Sequence, residues 1–106
     1  MRRGDLYRVR NPPDDPKRAR VYVVVSRAAL LRSRFPNVIC APVLTNGEAL
    51  ITQVPVGPAE GLKHPSWITC DGLSIIRRSR LTDYVGALSS DGMRALNKAL
   101  RAALDL

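Results

Sequence analysis

The chain has 106 residues, with 17 Lys and Arg against 9 Asp and Glu, a formal net charge of +8 and a pI near 10.5. That length, with a hydrophobic fraction of 45%, fits one domain spanning 1–106 around a single modest core and excludes a disordered tail. No run is long enough to cross a bilayer, and Met1-Arg2-Arg3-Gly4-Asp5 has no apolar segment behind it to act as a secretion signal, so a cytoplasmic protein with polyanionic partners is expected.

Arg3 to Val9 reads as a first strand, broken by Asn11-Pro12-Pro13-Asp14-Asp15-Pro16, where three prolines disfavour regular structure and the two acids suit a solvent-facing turn better than a metal. Lys17, Arg18 and Arg20 then lead into a second strand, the β-branched run Val21 to Ser26. Arg27 to Arg32 holds good helix formers, with Ser26 as its expected N-cap. A third strand, Val38 to Val43, is followed by Thr45 and the turn signal Asn46-Gly47, which predicts a hairpin with a fourth strand, Leu50 to Val56. Pro55 assigns that fourth strand to a sheet edge or to its own end.

The single histidine, His64, falls in a Gly-Leu-Lys-His-Pro loop, and one histidine cannot supply the pair of imidazoles that some ribonucleases use. Ser66 to Asp71 alternates, sending Ile68 and Cys70 to the core and Trp67, Thr69 and Asp71 to the other face. Cys40 and Cys70 each sit within an apolar run and read as buried free thiols. Leu73 to Ile76 and Leu81 to Leu88 are short strands around the basic turn Arg77-Arg78-Ser79-Arg80. From Ser89 the period becomes helical, with Met93, Leu96, Leu100 and Leu104 on one stripe, Ser89 or Ser90 as cap and Asp91 in the first turn. Many short strands and one closing helix give a mainly β fold with α, a small bent barrel carrying a C-terminal helix.

Arg20 opens one apolar run and Thr45 closes the other, so pairing of the two strands sets a cation and a hydroxyl at one rim, an arrangement suited to a phosphate. Taken alone, an arginine before a strand is usually just solvated, and a threonine before Asn-Gly is an ordinary turn residue.

Arg3-Gly4-Asp5-Leu6-Tyr7, Arg20 before Val23-Val24-Val25-Ser26, Ala41-Pro42-Val43-Leu44-Thr45, Gly61-Leu62, Ser66-Trp67-Ile68-Thr69-Cys70-Asp71, Arg80-Leu81 and Val85-Gly86-Ala87-Leu88-Ser89 come in an order and spacing that resembles the MazF/PemK toxins. The resemblance implies an SH3-like barrel of CcdB/PemK type, a homodimer, metal-independent cleavage of single-stranded RNA without a cofactor, and neutralisation by an acidic antitoxin. It further implies catalytic roles for Arg20 and Thr45, an acidic role for Asp71, and RNA contacts from the loop 11–19. Val21 stands where the family usually has proline, the first loop is shorter than is common, and Thr69 replaces a residue that is basic in some members. On chemical grounds Arg20 clamps the phosphate, Thr45 orients it, and Asp71 is the candidate base. Lys17, Arg18, Trp67, Thr69, Arg77 and Arg78 are expected at the RNA, by charge or by stacking. Two competing readings are a gyrase-directed toxin of the same fold and an RNA-binding module without turnover.

Overall fold

The computed structural model describes residues 1–10 and 19–106. Its elements are β1 (Asp5–Val9), β2 (Arg20–Val24), α1 (Ala28–Arg32), β3 (Asn37–Leu44), β4 (Gln53–Val56), β5 (Ser66–Thr69), β6 (Ser74–Arg77), β7 (Asp83–Ala87) and α2 (Ser90–Leu104), with 3-10 turns at Pro58–Glu60, Cys70–Gly72 and Arg78–Arg80. All pairings are antiparallel, and the strand order is β4-β5-β3-β2-β1-β7, with β6 also on β3. The eight-residue β3 is long enough for two partners on one edge. Val43 and Leu44 pair with Ile68 and Trp67 of β5, while Asn37 to Cys40 pair with Arg77 to Ser74 of β6. The Cys70–Gly72 turn carries the chain from one partner to the other.

Adjacent strand residues point to opposite faces, and here both faces are buried. Leu6, Val23, Ala41, Val43 and Ile68 turn inward beneath α2, where Leu96 completes the barrel core. Tyr7, Val9, Val24, Cys40 and Ile76 turn outward and are covered by Leu31 of α1. The uninterrupted apolar run of β2 follows from this double burial. Cys40 and Cys70 are both buried free thiols, one in each cluster. Burial pushes the Cys40 thiol up to about 12, and burial with a smaller contribution from the Asp71 charge pushes Cys70 up to about 11, so both are protonated and poorly nucleophilic at neutral pH.

The sheet path leaves β4 and β7 as ends, and the Pro58–Glu60 turn closes the distance by pressing backbone against backbone. A Cβ on Gly86 would collide with the Glu60 carbonyl, and one on Gly61, at φ +92°, would collide with that of Val85. Only glycine fits at these two positions. The helix α2 starts at Ser89, whose hydroxyl accepts the Gly92 N–H at 3.1 Å, as the sequence predicts for its cap. It buries Leu96 and Ala99, with Met93, Leu100 and Ala103 partly covered, whereas Leu104 runs past the sheet and is 52% exposed.

Two local expectations are corrected. β3 and β4 do not form a hairpin: β5 lies between them, and the left-handed residue in their connection is Ala49 (φ 54°), not Gly47. Pro55 does stand on an edge strand, since β4 pairs with β5 alone. Ser26 does not cap α1, which begins after Arg27 without any side-chain cap. Its hydroxyl is buried and accepts the Ile39 N–H at 2.7 Å, while the Val25 and Ser26 N–H groups both reach the Ile39 carbonyl. Strapping the exit of β2 to β3 satisfies a long-range donor that no local capping motif would reach.

Candidate active site

The pairing of β2 with β3 runs Val24↔Cys40 to Val21↔Val43, and one further step along the same register sets Arg20 across from Leu44, beside Thr45. Both strands end there, at the mouth of the barrel. A cleft of about 470 Å³ opens at this mouth, with an apolar floor of Val21, Val43 and Leu62 and a polar rim that includes Arg20 and Thr45. The sequence expectation of a cation and a hydroxyl at one rim is therefore met in the geometry. Arg20 is exposed as the first residue of β2, and among the described residues its guanidinium has no hydrogen-bond or ion-pair partner.

Arg8, Lys63, His64 and Ser66 complete the polar rim. Arg8 follows two residues after the inward-facing Leu6 and pairs with Val21; its guanidinium also lies 3.9 Å from Asp83. Lys63 and His64 arrive through the β4–β5 connection, because β5 pairs with the end of β3 that carries Thr45. Ser66 is buried and its hydroxyl donates to the His64 carbonyl at 3.0 Å, fixing the turn ahead of Pro65. Among the described residues no carboxylate lines the cleft and its charged side chains, Arg8, Arg20 and Lys63, are all cationic, which suits a phosphodiester.

Asp71 is not brought into this cleft. It lies in the Cys70–Gly72 turn, beyond β5, where one carboxylate oxygen accepts the Thr52 hydroxyl at 2.6 Å. The strand alternation that groups it with Trp67 and Thr69 stops at Thr69, because the chain turns there to pass from β5 to β6. Thr69 takes a 3.3 Å hydrogen bond from the Gln53 side chain. Trp67 is half-buried, and its indole occupies the space where Gly47 would carry a side chain. That contact packs the β3–β4 connection just past Thr45, so Trp67 bears on the site by holding the loop.

Arg77 is exposed opposite Asn37, at the far end of β3, about 23 Å along the strand from the cleft at roughly 3.3 Å per residue. Arg78, expected at the RNA, has its guanidinium engaged within the fold. Its guanidinium donates to the carbonyls of Leu30 (3.2 Å), Leu31 (2.9 Å) and Phe35 (3.0 and 3.1 Å), tying the last turn of α1 to the segment that follows it. Arg78→Met is expected to cost roughly 1–3 kcal/mol, the usual range for hydrogen bonds from a charged donor. A denaturant titration should show this loss, while the salt dependence of RNA binding stays that of the wild type. Lys17 and Arg18, with the acids Asp14 and Asp15, lie outside the described residues.

Sequence reasoning missed Arg8, Lys63 and His64. The signal for Arg8 was its two-residue spacing from Leu6, and for the other two the tight Gly61-to-Pro65 stretch ahead of a strand; neither reveals which end of the barrel it reaches.

The chain is similar to known proteins over nearly its whole length. Residues 2–104 match the model of a family described as PemK-like, MazF-like toxin of type II toxin-antitoxin system. The chain is 34% identical over 89 residues to the endoribonuclease MazF3 of Mycobacterium tuberculosis, covering 84% of this chain and 85% of that protein. Among solved structures, it is similar to the Mycobacterium tuberculosis toxin MazF-mt6, with a TM-score of 0.83, 29% identity and coverage of 96% and 97% of the two chains. It is also similar to a mycobacterial endoribonuclease solved in complex with its cognate antitoxin, with a TM-score of 0.84, 27% identity and coverage of 100% and 96%.

Proposed function

The chain belongs to the PemK-like, MazF-like toxins of type II toxin-antitoxin systems, and from that membership we propose that it is an endoribonuclease that cleaves single-stranded RNA without a metal ion. The observation that carries this reading is the shared cleft of Arg20 and Thr45. Cleavage drives a ribose 2′-hydroxyl into the adjacent phosphorus and expels the 5′-oxygen of the next nucleotide, leaving a cyclic phosphate. The crowded phosphate formed on the way carries extra negative charge, which the planar fork of Arg20 can bind through two oxygens at once. Thr45 holds a non-bridging oxygen and fixes the in-line approach.

The working form is a cytoplasmic homodimer of chains that each act as one toxin unit across 1–106. Its neutraliser is an acidic antitoxin, a partner suited to a +8 chain and supported by the related endoribonuclease solved with its cognate antitoxin. A segment of that kind would silence the enzyme by covering the basic cleft.

Incubating the purified chain with mixed-sequence single-stranded RNA in EDTA tests the reading. Fragments ending in cyclic phosphate are expected, and Thr45→Ala should cleave roughly 10–100-fold more slowly, the equivalent of one lost hydrogen bond to a charged group. RNA that is bound but stays whole would replace the enzyme with a binding module, and trapping of gyrase on DNA would replace it with a toxin of another target.

A further inference from the structure

Attack by a 2′-hydroxyl needs a group to take its proton, and the cleft holds a candidate that neither the sequence motifs nor Asp71 supplies. Its basic members are Arg8, Arg20, Lys63 and His64, and Asp83 reaches it only through Arg8, at 3.9 Å. Guanidinium and ammonium groups present donors and no acceptor. Among the described residues no carboxylate lines the cleft: Asp71 accepts from Thr52, Asp5 accepts the Arg2 N–H at 2.7 Å, Glu60 belongs to the turn against β7, and Glu48, in the connection after Thr45, is not among the lining residues. The imidazole carries a ring nitrogen that can accept a proton. The backbone at His64 is fixed, since the buried Ser66 hydroxyl donates to its carbonyl and Pro65 restricts the chain beyond it, and this keeps the residue at the cleft.

We infer that His64 is the general base of the cleavage proposed above, a role that rests on that reading. The neutral imidazole takes the 2′-hydroxyl proton as the O2′–P bond forms. The P–O5′ bond breaks, its electron pair leaves with O5′, and O5′ takes a proton from solvent water. The imidazolium then returns its proton to the hydroxide so formed, so the products are the cyclic phosphate and a 5′-hydroxyl with no net uptake of water. In-line geometry sets the attacking and leaving oxygens on opposite sides of phosphorus. One imidazole therefore serves the attacking side, and the open mouth of the cleft admits solvent to the other.

The test measures kcat and KM from pH 5 to 8 in EDTA for the full-length wild type, Arg20→Ala and His64→Ala, the last with and without added imidazole. His64→Ala is expected to lower kcat roughly 100-fold with KM nearly unchanged, to lose the acid-side rise of kcat with pH, and to regain activity with imidazole. Because His64 is exposed in a loop, the variant should melt with the wild type. His64→Ala turnover within threefold of wild type, or a slow variant that keeps the pH rise and ignores imidazole, would overturn the assignment. If wild type cleaves and Arg20→Ala does not, such a result removes the base and leaves the nuclease standing. A wild-type chain that leaves RNA whole removes both.

Discussion

Arg20→Ala should lower kcat/KM for RNA cleavage by at least roughly 100–1000-fold, the loss seen when one preorganised donor to a developing oxyanion is removed. The effect is large because the guanidinium meets charge that peaks in the transition state, which no other interaction of the substrate with the cleft replaces. Arg20→Lys keeps the charge but loses the fork, so it should fall between wild type and Ala. Neither change should alter the melt, since Arg20 is exposed at the first position of β2. Initial rates on a labelled oligonucleotide, beside thermal unfolding, settle the matter: Arg20→Ala with more than a tenth of wild-type activity is incompatible with a phosphate clamp at this position.

Leu96→Ala should have the largest effect on stability, about 2–5 kcal/mol. Leu96 is fully buried on α2 and fills the inner core with Leu6, Val23 and Ile68, so truncation removes its transfer energy and leaves a cavity between helix and sheet. For a domain of this size the melting temperature would drop by about 10–25 °C. Leu104→Ala, two steps along the helical stripe that the sequence predicts, should change stability by no more than about 0.5 kcal/mol, because that side chain is exposed. Similar losses for the two variants would mean that α2 docks in another register.

Much of this fold could be read locally. The β-branched runs of β2 and β3, the edge proline of β4, the inward Ile68 and Cys70, and the Ser89 cap of α2 are each dictated by neighbours a few residues away. So was the placing of Arg20 and Thr45 at one rim, because adjacent antiparallel strands bring the start of one beside the end of the other.

Strand order was not local. Asn46-Gly47 signals a return of the chain, but whether β4 or β5 lies beside β3 depends on which strand better fills the inner core, and Ile68 takes that place. His64 owes its position in the cleft to the same choice, which carries the Lys63-His64 turn past Thr45, while Asp71 is turned away to Thr52. Arg78, part of a basic run in the sequence, is spent on carbonyls more than forty residues distant. Sequence alone thus determined the strands, the helix and the two residues that end β2 and begin the loop after β3. The tertiary structure decided which loops and charges join them, because long-range pairing is set by burial competing across the whole sheet and leaves no periodic trace in the segments it unites.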